Sequence, residues 1–511
     1  MKKMHYLTKS VVGLIFFVSH LAYGANLLEL GIKELKEENY EEAVEILRSV
    51  REKDPKLTIA AFYLGLAYKQ IGEYKLAVEN LRDALRYEPK ILDAYPVLIE
   101  LLLSLEEVEE AKFWIEEADR AKVFPAQIAF LKGIALSKEG KNRQAIESFK
   151  RAKELDSSFA QASDFQIALL YIKERRLKTA METFRELQKI DPSSDFSALA
   201  KDYESALGRT LSVRKTWQFS LGLGYQYDDN VVLKPDKTIG IGVVDRIARK
   251  GDSSLNANLG VAFSPYIEGG WNLSIQYAFN LVKYSRLDNY DNYLHLLGGS
   301  VGYDFGKFIL LLPTAFYKVW LDDKEYSDVF SVRPLVSFPL VPNQFIQTGL
   351  NYTNRNIKRP IIDPAENRDS NIYGANLSYL FAFLGDKGAF KLSYEPYLED
   401  TKGSNWENQT HRLTASLTYS ITNRLRIGFG GEASLVRYRN IHTLSGSGVP
   451  GFPSTPKRRR DEIYTLNSRI AYQILKGLSL GANYSYSKSN SNFDIYSYQK
   501  NTFSLNLEYI F

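Results

Sequence analysis

Phe503-Ser-Leu-Asn-Leu-Glu-Tyr-Ile-Phe511 alternates strictly: Phe503, Leu505, Leu507, Tyr509 and Phe511 fall on one face of an extended strand, and Ser504, Asn506 and Glu508 on the other. Successive side chains of a strand point to opposite faces, so this stretch is apolar on one side and polar on the other. A closed barrel in a membrane needs this pattern, with lipid outside, water inside and no unpaired edge. The last strand of a soluble sandwich would alternate too. What separates the two is that the pattern recurs through the whole C-terminal half.

The stretch also resembles the C-terminal signature of bacterial outer-membrane barrels. The resemblance implies that Phe503, Leu505, Leu507, Tyr509 and Phe511 are read by the barrel-assembly machinery. Upstream, Trp217-Gln-Phe-Ser-Leu-Gly-Leu-Gly-Tyr-Gln-Tyr227 begins the same alternation. Further strand-like segments follow near 253–265, 271–284, 291–304, 307–320, 328–339, 344–356, 370–383, 388–401, 409–421, 424–438, 461–474, 476–488 and 498–511, fourteen in all. Their connections alternate between short ones, such as Phe305-Gly-Lys307, Thr422-Asn423 and Leu475-Lys-Gly477, and longer or charged ones. The longer set is 229–252, 285–290, 321–327, 357–369, 402–408, 439–460 and 489–497. Tight turns at one end and loops at the other mark an outer-membrane barrel with both chain ends on the short-turn, periplasmic side. Fourteen strands leave room for an aqueous lumen. Ser479, Gly481, Asn483, Ser485 and Ser487 represent its inward set.

Composition agrees. Of 34 tyrosines, 24 follow residue 210, as do four of the five tryptophans (Trp217, Trp271, Trp320 and Trp406). Aromatic rings collect at the two membrane–water boundaries of such barrels. Cysteine is absent, which excludes disulfides, thiolate metal sites, a cysteine nucleophile and a lipidated N-terminal cysteine. A net charge of +5 gives no push toward nucleic acid.

Residues 1–24 read as a signal peptide. Lys2, Lys3 and Lys9 precede the apolar run Val11–Val18, and Ala22-Tyr-Gly24 is a small-x-small cleavage site. Residues 25–205 then repeat at 34. Leu30-Gly31, Leu64-Gly65 and Lys132-Gly133 keep that phase, as do Ala43, Ala77, Ala111 and Ala145, with Ala180 one residue late. Leu47, Leu81, Ile115, Phe149 and Phe184 follow, and Pro55, Pro89 and Pro192 end repeats one, two and five. The pattern resembles the tetratricopeptide repeat (TPR), two antiparallel helices per unit, and five units fit. The third departs most, with Ile99 in the glycine place and Val123 in the proline place. Such a solenoid presents a groove lined by the first helix of each pair, on which Lys69, Gln70, Glu100, Ser104 and Lys138 are candidate client-binding residues. Each also fits an ordinary solvated helix position. Residues 206–215 read as a linker and 216–511 as the barrel.

Nothing in the chain reads as catalytic. His5, His20, His295, His411 and His442 lack metal-ligand spacing, no local motif marks a nucleophile, and no cofactor is implied. Asp228-Asp229-Asn230 reads as a polar strand end, with calcium binding as the alternative. Lys457-Arg-Arg-Arg460 reads either as a solvated run or as a contact with anionic lipopolysaccharide.

The expected fold is therefore multidomain: an all-α TPR solenoid followed by a 14-stranded antiparallel transmembrane barrel. This order, with the opening strand Gly224-Tyr-Gln-Tyr-Asp-Asp-Asn-Val231, resembles the surface lipoprotein assembly modifier family. The resemblance implies a Gram-negative outer membrane, a periplasmic TPR domain, and client proteins or lipoproteins moved to the cell surface. Its partners would be outer-membrane lipids, the assembly machinery and an exported client. The alternatives are an exopolysaccharide export porin, whose partner is a polysaccharide, and a passive porin or adhesin.

Overall fold

The computed structural model describes residues 26–511 apart from 213, 214, 248, 249, 386 and the side chain of Val243. The predicted signal peptide lies outside the described residues. The chain divides into two compact units at Leu211/Ser212.

The first unit holds eleven helices: α1 (26–36), α2 (Tyr40–Lys53), α3 (Thr58–Gln70), α4 (Tyr74–Arg86), α5 (Ala94–Ser104), α6 (Val108–Ala121), α7 (Pro125–Lys138), α8 (Asn142–Leu155), α9 (Ala160–Lys173), α10 (Leu177–Ile190) and α11 (Asp195–Ser212). They form five TPR pairs with α11 added at the end, and α11 runs through positions 206–212, where a linker is expected. The 34-residue period has a packing cause. An added Cβ would lie 2.7 Å from Leu47 at Gly31, 2.8 Å from Leu81 at Gly65 and 2.6 Å from Phe149 at Gly133. Glycine thus lets each second helix press its large side chain onto the first helix's backbone. In the third repeat Ile99 and Ile115, both buried, hold the matching places. Ion pairs tie successive repeats: Arg51 to Asp83 at 2.5 Å, Arg82 bidentate to Glu110 at 2.8 Å, and Lys112 to Glu139 at 2.7 Å. The Arg82 guanidinium holds the Glu110 carboxyl below the usual carboxylate range.

The second unit is a closed antiparallel ring of fourteen strands. They are β1 (Trp217–Asp228), β2 (Asp252–Phe263), β3 (Trp271–Tyr284), β4 (Asn292–Asp304), β5 (Ile309–Leu321), β6 (Lys324–Val332 continuing as Leu335–Val341) and β7 (Gln344–Ile357). There follow β8 (Ser370–Phe383), β9 (Gly388–Thr401), β10 (Asn408–Ser420), β11 (Leu425–Ile441), β12 (Arg458–Leu475), β13 (Leu478–Ser491) and β14 (Tyr498–Ile510). Each pairs with its sequence neighbours, and β14 returns to β1 from Ser220–Ile510 to Asp228–Thr502. Phe219 and Phe511 extend that seam by exchanging both backbone hydrogen bonds at 3.0 Å. Phe219, Leu221, Leu223, Tyr225 and Tyr227 point outward, as do Phe503, Leu505, Leu507, Tyr509 and Phe511. Rings gather at both boundaries. Trp217 stacks on Phe219 and Phe219 on Phe511 at the short-turn end, while Tyr293 stacks on Trp320 near the other.

Two strand expectations need correction. The segment expected at 328–339 begins at Lys324, because Asp322 and Asp323, both at positive φ, make a two-residue turn instead of the longer connection 321–327. The same strand is interrupted at Arg333-Pro334, since proline has no N–H for the ladder. The β11–β12 hairpin is also longer than expected, at 17 and 18 residues.

The Gly133 contact yields a prediction with a sign. Helix propensity alone would make Gly→Ala favourable by about 1 kcal/mol. At Gly133 the Cβ meets a Phe149 ring that is fully buried and has nowhere to go, and overpacking costs about 1–3 kcal/mol. G133A is expected to lower the urea midpoint of the helical circular-dichroism signal, whereas G208A, with nothing within 4 Å of the added methyl, is expected to raise it.

Candidate functional site: the lumen wall, the loop cluster and the repeat face

The inward face follows from strand parity and is not uniform. On β7–β14 and β1 it carries paired charges. Arg355 meets Glu399, Arg412 lies 3.9 Å from Glu395 and 3.4 Å from Glu432, Arg469 lies 3.4 Å from Glu508, and Lys500 sits 2.5 Å from Asp228. Ser378 and Ser393 share a hydrogen bond of 2.8 Å between them, and Asn483 donates to Ser504. Each of these pairs joins nearby strands, so this part of the wall is polar but locally compensated, while Lys391 and Arg426 face inward with no ion pair among the described residues.

Four loops meet at the long-loop end in a buried cluster. Arg459 stacks 3.3 Å from the centre of the Tyr496 ring, 4.5 Å from Tyr438 and 5.2 Å from Trp406. Its guanidinium donates to both carboxylate oxygens of Asp461, at 3.0 and 2.6 Å. Glu366 accepts from Trp406 Nε1 and Asn405 Nδ2, both at 2.7 Å, and Arg368 lies over the ring of the same Trp406, 3.5 Å from its centre. His442 packs against Phe452 and Phe493, with Nε2 3.6 Å from Glu366. Burial lowers the His442 pKa, Glu366 and Asp363 oppose that, and Arg459 adds to it. Burial also raises the Tyr496 phenol.

This cluster resolves the basic run Lys457–Arg460. Lys457, Arg458 and Arg460 are exposed, but Arg459 is structural. The oxygens of Asp228-Asp229-Asn230 are engaged within the protein. Asp228 accepts from the Asn230 backbone and pairs with Lys500, Asp229 accepts from Asn501, and Asn230 accepts from the Lys234 backbone. His295 and His411 point outward on β4 and β10, each sharing a hydrogen bond with a neighbouring tyrosine, Tyr277 at 2.8 Å and Tyr394 at 2.6 Å.

In the repeat unit, Lys69 on α3 and Glu100 on α5 come together at 2.8 Å across adjacent first helices. Ser104 turns back onto the Leu101 carbonyl, and Gln70 and Lys138 are exposed on α3 and α7. Sequence reading missed the lumen ion pairs and the loop cluster. Parity of Glu395, Arg412 and Glu432 on adjacent strands is the signal that points to the first; nothing local marks the second.

Against this geometry, the model of the surface lipoprotein assembly modifier family matches residues 217–511, and a tetratricopeptide-repeat model matches 28–85 and 130–195. The chain belongs to the surface lipoprotein assembly modifier family. Its work is therefore surface lipoprotein assembly by an outer-membrane barrel, not enzymatic catalysis. The stretch between the two TPR matches includes the aberrant third repeat. A comparison with curated proteins gave no match. Solved structures similar to the chain include MamA (41-end) from Desulfovibrio magneticus RS-1, at 20% identity over 34% of this chain and 97% of that one, with a TM-score of 0.32. PilF of Pseudomonas aeruginosa shows 23% identity over 37% and 90%, at 0.31. YrrB, a TPR protein, shows 20% over 34% and 90%, at 0.31.

The loop cluster generates two expectations. R459A strands Asp461, which is 3% exposed, and breaking one partner of a buried pair costs about 3–5 kcal/mol. Limited proteolysis of the folded barrel is expected to cut within 442–457 in R459A and to spare the parent. For His442 the sign follows from its depressed pKa. The packed cluster binds fewer protons than the opened one between the lowered value and 6.5, so stability rises with pH in that window. Acidification from pH 7.5 to below 6.5 should speed cleavage of the loop, and H442Q should remove that dependence.

Proposed function

We propose that this member of the surface lipoprotein assembly modifier family moves client lipoproteins or proteins across the outer membrane through its barrel, with the TPR unit on the periplasmic side receiving the client. The observation that carries this reading is the compensated lumen wall. A polypeptide crossing the lumen brings both signs of charge in unpredictable order. A wall with Arg355–Glu399, Arg412–Glu395/Glu432 and Arg469–Glu508 already paired offers such a chain only weak net attraction. Arg469–Glu508 is solvent-exposed, and a pair of that kind contributes about 0–1 kcal/mol, so a passing segment exchanges partners there without being trapped.

A sugar-polymer porin would favour an excess of acidic groups or a run of stacked aromatics along the inward face, and the wall is built otherwise. The α3–α5–α7 face supports the receiving role. The ion pair Lys69–Glu100 between α3 and α5 has Glu100 60% exposed at the side chain, so a client carboxylate can displace it at little cost. The outward aromatic–aliphatic set Phe503, Leu505, Leu507, Tyr509 and Phe511 suits recognition by the assembly machinery during insertion.

The test is co-purification with the full chain from outer-membrane extracts, assaying bound protein and bound carbohydrate together. The parent is expected to retain a specific exported protein, and K69A/Q70A/K138A is expected to lose it at least fivefold while the barrel's heat-dependent gel migration is unchanged. Recovery of polymer or of a synthase complex without client protein overturns the proposal.

A further inference from the structure

The second half of the lumen wall differs from the charged arc. On β2–β6 the inward positions carry charge only at the strand ends (Asp252, Asp304 and Lys324) and at Arg333, among the described residues. Between these, Leu294, Leu296, Leu311, Val319, Val329 and Leu335 face inward. An aqueous pore has no need of such a stripe, and placing it against water is unfavourable.

The same arc holds the ring's weakest seam. Register is continuous through β6: Thr314 faces Val332 and Leu311 faces Leu335 on one side, while Val332 faces Tyr352 and Leu335 faces Gly349 on the other. At the centre, Arg333 N donates to Pro313 O at 2.9 Å and Leu350 N donates to Pro334 O at 3.0 Å. Neither bond is returned, because Pro313 and Pro334 have no N–H. Both ladders of one strand therefore lose a hydrogen bond at the same height. In hydrocarbon such losses are not made good by water, which is why closed barrels avoid them. Pro396 interrupts β9 as well, but on its β8 side alone. By contrast, the β1–β14 seam is paired without a break. Outside the β5–β6–β7 seam, Leu312, Phe316, Phe330 and Leu350 are exposed to the lipid side. Inside, Pro313 and Arg333 lie at the break, with Leu311 and Leu335 to one side and Ala315 and Ser331 to the other, so the inner Leu and Val positions approach the apolar outer surface at the one strand whose pairing is weakened on both flanks.

We infer that the uncharged arc carries the acyl chains of a lipoprotein anchor, and that these chains pass between lumen and bilayer at the β5–β6–β7 seam around Pro313 and Pro334. The inference rests on the translocation reading above and adds to it a division of labour: polypeptide along the charged arc, lipid along the apolar one. The occupant is set by chemistry on both sides of the seam, since an aliphatic chain suits the inner Leu and Val positions as well as the lipid face, with Arg333 the one inward charge beside the break.

Because the chain lacks cysteine, introduced pairs are its sole thiols. Thr314 and Val332 face each other as a non-hydrogen-bonded pair, close enough for a disulfide across the β5–β6 seam, and Ser220 and Ile510 do the same across β1–β14. The full chain is reconstituted in phosphatidylethanolamine–phosphatidylglycerol vesicles preloaded with a synthetic triacylated cysteine lipopeptide bearing a diazirine on one acyl chain. Labelled residues are mapped after irradiation. The expected result is labelling of Leu294, Leu296, Val319 and Val329 at least tenfold above inward residues of β10–β13. Oxidised T314C/V332C should reduce it at least tenfold, reductant should restore it, and oxidised S220C/I510C should change it less than twofold. Even labelling around the lumen, no inward labelling, or loss of labelling with the β1–β14 staple overturns the proposal. The unacylated peptide, followed by fluorescence anisotropy, separates the two readings. If it is still captured while the lipopeptide fails to label, the lipid route alone falls. If neither binds, the translocation reading falls with it.

Discussion

Closure is the constraint on which the barrel depends. In hydrocarbon every backbone N–H and C=O has to find a partner within the protein, so a sheet can cross only as a ring. The bond that completes the ring is the β1–β14 ladder, Ser220–Ile510 through Asp228–Thr502. Everything else about the unit is permitted by it. Outward positions are then free to be Leu, Phe and Tyr, and inward positions are free to be charged, because the period of two separates the two solvents residue by residue. A single-residue slip of β14 would exchange Leu505 and Leu507 for Asn506 and Glu508 on the lipid side. Register is thus fixed by the same pattern that reveals the strand.

That is why so much of the barrel was legible. Alternation marks a strand wherever both faces have a distinct solvent, and fourteen strands with their short turns follow from it. The misread pieces are those where a local conformation, not the alternation, decides. Asp322-Asp323 makes a turn by adopting positive φ at two aspartates, which no periodicity announces. Arg333-Pro334 keeps the alternation while losing ladder bonds, so the strand persists in register and is interrupted in hydrogen bonding. Lys457–Arg460 looks like one basic run, yet its third member lies among Trp406, Tyr438 and Tyr496, residues 21 to 53 positions away in sequence. Contacts of that separation are invisible to any short-range pattern.

The repeat unit is legible for a different reason. Each glycine–large pair, Gly31 with Leu47, Gly65 with Leu81 and Gly133 with Phe149, is a steric fit within a single helical hairpin. The fit repeats because the hairpin repeats, and the sequence carries its phase. The surface of the solenoid is not constrained in this way. Lys69, Gln70, Glu100, Ser104 and Lys138 fall on the first helices, but periodicity does not foresee that Lys69 and Glu100 bind each other. Core positions are dictated by packing, whereas face positions answer to partners that the chain does not contain.

The lumen joins these points. A barrel whose sole task was to hold water would need inward polar groups of any kind all the way round. Here the charges are gathered on β7–β14 and β1, and nearly every one has an opposite charge within reach. Gathering charges is unfavourable unless they are paired, and pairing them across nearby strands also adds side-chain ties to the backbone ladder of that arc. The opposite arc has ties of its own, Lys318 to Glu325 and Thr353 to Ser331 on the two flanks of β6, but no run of inward ion pairs among the described residues and, at Pro313 and Pro334, not the full ladder. One wall therefore adds a run of inward ion pairs to its backbone ladder, whereas the other has a thinned ladder and fewer side-chain ties. The bonding of the ring is uneven where its charge is, and the thinned side is the one whose inward face carries Arg333 as its single charge between the strand ends.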